Sequence, residues 1–135
     1  MTYLPTVEFI ETSDIVSTTT INTYQNKLTL TFTPPIAGDY KIFVYAEYAN
    51  EESKYIAVRL YDSTDAAIVA ETIVTVDVIG TAPNEQYHHF SLPGKKRTLT
   101  TASRTFILQW HGESSAKIAY IRNAEIRVVK IDQSI

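Results

Sequence analysis

Lys27-Leu28-Thr29-Leu30-Thr31-Phe32-Thr33, then Pro34-Pro35-Ile36-Ala37-Gly38-Asp39, then Tyr40-Lys41-Ile42-Phe43-Val44-Tyr45-Ala46-Glu47-Tyr48: the reading of this stretch decides the fold. Along an extended chain successive side chains point to opposite sides. Leu28, Leu30 and Phe32 therefore share one face, with Lys27, Thr29, Thr31 and Thr33 on the other. That is a strand with one buried and one wet face. Pro34-Pro35 stops it, since proline has no N–H to give a ladder, and Gly38-Asp39 completes a turn. The alternation then resumes. Tyr40, Ile42, Val44, Ala46 and Tyr48 share one face, and Lys41, Phe43, Tyr45 and Glu47 share the other.

The same period runs outward from there. After a polar hairpin loop at 50–53, residues 55–61 set Ile56, Val58 and Leu60 against Tyr55, Ala57, Arg59 and Tyr61. Asp62-Ser63-Thr64-Asp65 is a turn of the kind in which short polar side chains bond their own backbone. The stretch 66–78 begins with alanines. Its β-branched Ile68, Val69, Ile73, Val74, Val76 and Val78 read as a strand, with a helix in the first turn or two as the alternative. A loop at 80–84 leads to a strand over 86–92, ended by Pro93-Gly94. A strand over 105–111 puts Phe106, Leu108 and Trp110 on one face, residues 112–115 turn the chain, and a long strand over 117–131 closes it. Residues 7–10 and 17–21 read as short, weaker strands. The expectation is an all-β chain, an antiparallel β-sandwich of about eight to ten strands with no substantial helix. It is read as a single domain over 1–135, in which 1–24 form an N-terminal arm with short edge strands.

Bulk composition bounds the function. A chain of 135 residues with 44% hydrophobic content can bury its own core. Its net charge of −3 and pI of about 5.6 argue against nucleic acid as the main partner, which needs a basic stripe. The absence of cysteine removes disulfides, thiolate metal sites and thiol catalysis together. The first ten residues lack the basic start and apolar run of a signal peptide, and no apolar stretch nears the ~20 residues of a membrane span. The reading is of a soluble protein made in a cytoplasm, or exported by cell lysis or assembly and not by a signal of its own, with no membrane partner.

The search for chemistry returns little. His88 and His89 are neighbours on a strand and so face opposite ways, which suits no single metal ion; His111 ends another strand. No serine sits in a Gly-x-Ser-x-Gly elbow, and only four glycines are present, so no phosphate-cradling loop is formed. Glu51-Glu52 reads as solvated loop charge, although a pair of acids across a cleft is not something sequence spacing can exclude. The 62–65 turn lacks the downstream glycine and glutamate of a calcium loop. The expectation is no enzyme, no metal and no cofactor. Gly94-Lys95-Lys96-Arg97 is the one basic cluster; it reads as a solvated turn, or as Lys95, Lys96 and Arg97 meeting an anion or an acidic protein partner.

The aromatics speak more sharply. Nine are tyrosines. Phe43 and Tyr45 lie opposite the core face of one strand, and Tyr55 and Tyr61 opposite the core face of the next. If those two strands pair, one outer sheet face carries four rings. Tyrosine favours interfaces because it joins apolar area to a polar tip, and a patch of that size is rarely left bare. Phe43, Tyr45, Tyr55 and Tyr61 are thus the candidate oligomer interface; the alternatives are that both faces are internal or the faces reversed, or that the rings form a sugar platform. Trp110 and His111 are the candidate glycan-stacking residues in that last reading.

The string Pro34-Pro35-Ile36-Ala37-Gly38-Asp39-Tyr40-Lys41-Ile42-Phe43-Val44-Tyr45-Ala46-Glu47-Tyr48 resembles a motif of bacteriophage virion proteins with a jelly-roll domain of the tumour-necrosis-factor/C1q-like type. There a proline-containing turn and "AGDY" lead into a central strand. The similarity continues at Ile56-Ala57-Val58-Arg59-Leu60 and Phe106-Ile107-Leu108-Gln109-Trp110. It ends at Ala119-Tyr120-Ile121-Arg122-Asn123-Ala124-Glu125-Ile126-Arg127-Val128, which is similar to the "IRNA" closing strand of such domains. It spans roughly residues 30–130 in pattern more than identity. The resemblance implies a jelly roll, no catalytic residues, a homotrimer with its aromatic outer sheet toward the threefold axis, and a place in the virion. The chain's size suggests a capsid decoration or cement protein, with capsid or other virion proteins as partners and the first ten residues as an arm onto the shell or a neighbouring subunit. A receptor- or carbohydrate-binding module of a tail fibre or baseplate is the alternative.

Overall fold

The computed structural model describes residues 7–50, 54–76, 87–113 and 118–130, and every regular element among them is a strand. In chain order these are β1 (Glu8–Ser13), β2 (Ser17–Thr19), β3 (Gln25–Phe32), β4 (Gly38–Asn50), β5 (Lys54–Asp62), β6 (Ala67–Val76), β7 (His88–Leu99), β8 (Arg104–Gly112) and β9 (Ala119–Lys130). One sheet runs β1-β9-β4-β7, with β2 also on β9, and the other runs β3-β8-β5-β6. All pairings are antiparallel. The chain crosses between the sheets after β2, β3, β4, β6, β7 and β8, so each sheet interleaves early and late strands. The alanine-rich start at 66–78 is a strand and not a helix: Ala66 closes the preceding turn with a positive φ of 52°. The polar loop with Glu51 and Glu52, the loop at 80–84, Gln86, the turn residues 114–115 and the first six residues of the arm lie outside the described residues.

The alternation sorts the core as expected. Leu28, Leu30 and Phe32 of β3, Tyr40 to Tyr48 in every second place on β4, Ile56, Val58 and Leu60 of β5, and Phe106, Leu108 and Trp110 of β8 are buried between the sheets. Phe32 stacks on Phe9 of the facing sheet (ring centroids 4.7 Å) and meets Phe106 at 5.7 Å, so aromatic contacts join β1 to β3 and β8.

Two departures from the sequence reading have a local cause. The strand expected to end at Pro93-Gly94 continues to Leu99. β7 is an edge strand, so proline's missing N–H costs it no inner ladder bond. The register also slips between Ile42 and Phe43, where Lys95 and Pro93 are the partners; Gly94 is the extra residue of a bulge, at φ +104°. A Cβ there would come within 3.1 Å of the Phe43 ring. Lys95, Lys96 and Arg97 therefore sit on a strand and not in a turn. The second departure concerns the rings: β4 and β5 lie in opposite sheets.

Candidate interaction surfaces

Phe43 and Tyr45 point outward from the β1-β9-β4-β7 sheet, and Tyr55 and Tyr61 point outward from the other. The four rings are thus divided between two opposite outer faces. Periodicity along a strand fixes inside from outside, but says nothing about which sheet the strand joins.

The first face is organised around a carboxylate. Glu47 Oε2 accepts from the Tyr45 hydroxyl at 2.8 Å, and Oε1 accepts from Arg122 Nε at 2.8 Å and Asn123 Nδ2 at 3.0 Å. Those bonds, Tyr45 first and then Arg122, hold the Glu47 carboxyl below the usual carboxylate range, and the same bond pushes the Tyr45 hydroxyl up. Arg122 also lies over the Tyr87 ring at 3.6 Å, and His89 meets Tyr45 edge-on with centroids 5.2 Å apart. Asn123 reaches Glu47 because β9 bulges there: Glu47 pairs with Arg122 and Tyr45 with Glu125, leaving Asn123 at φ 50°. Beside the bulge is an open recess of about 460 Å³ walled by Tyr45, Asn123 and Glu125 together with Thr12, Ser13 and Asp14 from the end of β1 and just beyond it. A second recess of about 340 Å³ lies between Phe43, Arg127 and Val129 and shares Glu125 with the first. Ile10, opposite Arg127 on β1, is 44% exposed on the same face.

The second face is organised around a cation. The Arg59 guanidinium lies 3.8 Å from the centre of the Tyr24 ring and 5.0 Å from that of Tyr61. Its Nε donates to Gln109 Oε1 at 2.8 Å, and Gln109 Nε2 donates to Asn26 Oδ1 at 2.9 Å. His111 meets Tyr24 edge-on at 4.5 Å and Tyr55 at 6.1 Å. Burial pushes the Tyr24 hydroxyl up, partly offset by Arg59. Tyr24 and Arg59 were not singled out in the sequence. The signal for Arg59 was its place between two outward tyrosines on one strand; Tyr24 precedes β3 and carries none.

The glycan pair separates. His111 is on this second face, but Trp110 is 1% exposed, its ring in the core between the sheets. It follows the inward period of Phe106 and Leu108, so it has no face for a sugar. His88 and His89 do go to opposite sides of β7: His89 against Tyr45, His88 stacked near Tyr48.

The basic cluster also divides. Arg97 turns inward from the rim of its sheet and donates to Asp62 Oδ2 of the other sheet at 3.1 Å. Arg104 bonds the same Asp62 oxygen and Asp65 Oδ2, the latter at 2.9 Å. Asp62 Oδ1 accepts from the backbone N–H of Thr64 and Asp65 at 3.0 and 3.1 Å, which is the turn chemistry expected of 62–65. The result is an ionic clasp across the two sheets, with Asp62 fully buried. The bond from Arg104 holds Asp65 below the usual carboxylate range. Lys95 and Lys96 stay exposed on the β7 rim, Lys96 at 3.6 Å from Asp39.

No protein-family model matches the chain, and no curated sequence does. Solved structures do. The Eiger TNF of S. frugiperda superposes with a TM-score of 0.60 at 10% identity, covering 98% of this chain and 96% of that one. An insecticidal delta-endotoxin, Cry8Ea1 of Bacillus thuringiensis, gives 0.48 at 12% identity over 89% of this chain and 19% of its own. Infectious bursal disease virus, Gt strain, gives 0.47 at 10% identity over 92% and 33%. The fold is an all-β antiparallel sandwich, a jelly roll like that of the TNF neighbour. At these identities the likeness is one of fold alone.

Proposed function

We propose that this chain is a non-enzymatic structural protein of a bacteriophage virion, a jelly roll that assembles as a homotrimer and decorates or cements the capsid. One observation carries the reading. The strings that resemble virion modules, 34–48 and 119–128, supply β4 and β9, which are neighbours in one sheet and together build most of its outer face. That face presents Phe43, Tyr45, Val129 and the exposed Ile10 around open recesses, which is area for a subunit contact. At ~25 cal/mol per Å², covering a few hundred Å² of apolar surface per contact yields several kcal/mol before ordering costs. Three weak contacts to a shell then act together, because after the first the others are intramolecular. Measurement of mass in solution, followed by localisation in intact particles by cryo-microscopy, tests this. A trimer found on the capsid is the expected result; a monodisperse monomer that does not bind purified capsids defeats it.

A second reading, a carbohydrate- or receptor-binding module of a phage tail, draws on the other face. Tyr24, Tyr55, Tyr61 and His111 offer rings there, and Arg59 and Gln109 offer planar donors, with Trp110 playing no part. A glycan array probed with wild type and with Tyr55→Ala separates the two. Binding lost in the variant supports the module, and silence from both retires it.

A further inference from the structure

We propose that the outer face of the β3-β8-β5-β6 sheet takes an uncharged sugar, whose adjacent hydroxyls are held between Arg59 and Glu71. This rests on the carbohydrate-binding reading and adds the charge of the ligand and a further polar residue, Glu71.

The register of that sheet lines up one polar row across all four strands. Asn26 pairs with Gln109, Gln109 with Arg59, and Arg59 with Glu71. The row has a direction. Arg59 Nε donates to Gln109 Oε1 at 2.8 Å, and Gln109 Nε2 donates to Asn26 Oδ1 at 2.9 Å, so both donors are spent toward β3. A guanidinium has further N–H groups on Nη1 and Nη2, and those of Arg59 bond no described residue. Glu71 is exposed on the edge strand β6 and is in no ion pair with a described residue. Its charge is nonetheless felt in the cluster: burial pushes the Tyr24 hydroxyl up, Arg59 lowers it, and Glu71 raises it again.

Rings and apolar side chains flank the row. Tyr61, with Ile107 and Ile68 beside it in register, lies on one side; Ala57, with His111 and Ile73, lies on the other. Ile68 and Ile73 are 45% and 66% exposed. His111 Nδ1 lies 2.9 Å from the Gly112 carbonyl oxygen, which only accepts. Nδ1 therefore carries the proton, and Nε2 of the neutral ring is an acceptor. The hydroxyls of Tyr24, Tyr55 and Tyr61 bond no described residue.

This face offers donors at Arg59, acceptors at Glu71 and His111, and groups that do both at the tyrosines, all beside apolar area. Its complement is a ligand with C–H faces edged by atoms that donate and accept at once, as sugar hydroxyls do. The polar row decides the charge. Directly opposed residues on neighbouring strands have Cβ atoms about 5 Å apart, so an anion drawn to Arg59 also meets the Glu71 carboxylate, and a cation drawn to Glu71 meets the guanidinium. An uncharged ligand uses both: one hydroxyl accepts from Arg59 while the next donates to Glu71.

The test places the full chain on an array printed with uncharged, carboxylated and sulfated glycans, followed by titration calorimetry with the best uncharged binder. Wild type is expected to bind uncharged glycans only. Arg59→Gln and Glu71→Gln are each expected to weaken that binding about tenfold, the size of one lost hydrogen bond to a charged group. Glu71→Gln should also acquire binding to carboxylated glycans, because Arg59 no longer has a negative neighbour. A residue that only supported the fold would produce no such change of preference. Circular-dichroism melts check folding; if Arg59→Gln does not fold, the exposed Glu71→Gln carries the test alone. A wild type that prefers acidic glycans, or a Glu71→Gln variant that binds every glycan class as wild type does, overturns the inference while the carbohydrate-binding reading stands. An array silent throughout overturns both.

Discussion

The two outer faces of the sandwich are built from the same alternation and end with opposite electrostatic centres. On the β1-β9-β4-β7 face a carboxylate, Glu47, gathers a tyrosine, an arginine and an asparagine. On the β3-β8-β5-β6 face a guanidinium, Arg59, gathers two tyrosine rings and a glutamine. A hydrogen-bonded carboxylate fixes its partners by direction and distance, and it titrates. A guanidinium between rings is held by stacking and by the ring quadrupole. The first face is therefore sensitive to acid and indented by recesses, whereas the second is a stack of side chains whose rotamers are set by one another.

Breaking what holds the faces back to back is expected to have the largest effect. Asp62 is fully buried and is shared by Arg97 from one sheet and Arg104 from the other. Asp62→Ala takes one of the two carboxylates from the nearly buried Arg104, leaving it Asp65 alone, removes the bond that Arg97 makes across the sheets, and removes the acceptor of two turn N–H groups. A loss of about 3–5 kcal/mol is expected, read as a lower urea midpoint. Both faces should melt together in that variant, because the clasp belongs to neither.

A smaller change acts on one face only. Gly94 occupies a bulge at φ +104° against the Phe43 ring. Gly94→Ala asks a side chain to adopt a backbone it disfavours and to displace that ring, at a cost of about 1–3 kcal/mol. Ring-proton chemical shifts of Phe43 and Tyr45 should move while those of Tyr24 and Tyr61 stay. Equal movement on both sides would mean that the sheets transmit strain to each other, and the faces would not be independent.

How much of this was legible beforehand follows from which interactions are local. The inward sets on β3, β4, β5 and β8 could be read from the period because it depends only on neighbouring residues. The Asp62 turn was legible for the same reason, its bonds spanning two and three residues. Strand partners were not, since nothing local marks that β4 and β5 diverge into different sheets, and so four rings were placed on one face. Pro93-Gly94 reads as a stop in any single strand; only the partner strand, with one residue fewer, makes it a bulge on an edge. Trp110 was misjudged by function and not by period, since its alternation with Phe106 and Leu108 already pointed inward.

Acid sharpens the contrast between the faces. Because the folded-state pKa of Glu47 lies below its unfolded value, its stabilisation is fully present above the unfolded pKa and is lost as pH falls through the folded one. Stability is expected to decline from about pH 4 downward, in the range where free carboxylates titrate. Asp65, shifted the same way by Arg104, adds to that decline. Glu47→Gln should flatten part of the slope. It should also cost about 1 kcal/mol at neutral pH, because an amide oxygen accepts more weakly from Arg122 and its amide group no longer accepts from Tyr45. An unchanged acid limb in Glu47→Gln would show that the first face is not organised by this carboxylate.

Arg59→Lys probes the second face with the least disturbance. Lysine keeps the positive charge, so any loss reports the planar group and not the ion. The guanidinium meets two ring faces and gives its Nε–H to Gln109; an ammonium is a compact, well-hydrated point that stacks poorly and cannot hold that direction. Gln109 then has to find another donor for its Oε1, and its bond to Asn26 loosens with it. A loss of about 0.5–1 kcal/mol follows, the size of an exposed cation–ring contact, together with new mobility of the Tyr24 ring in relaxation measurements. The pH dependence should be that of the wild type, since no carboxylate has changed. If Arg59→Lys instead altered the acid limb, Glu71, opposite Arg59 in the β5–β6 ladder, would share in organising the second face, and that face too would answer to acid.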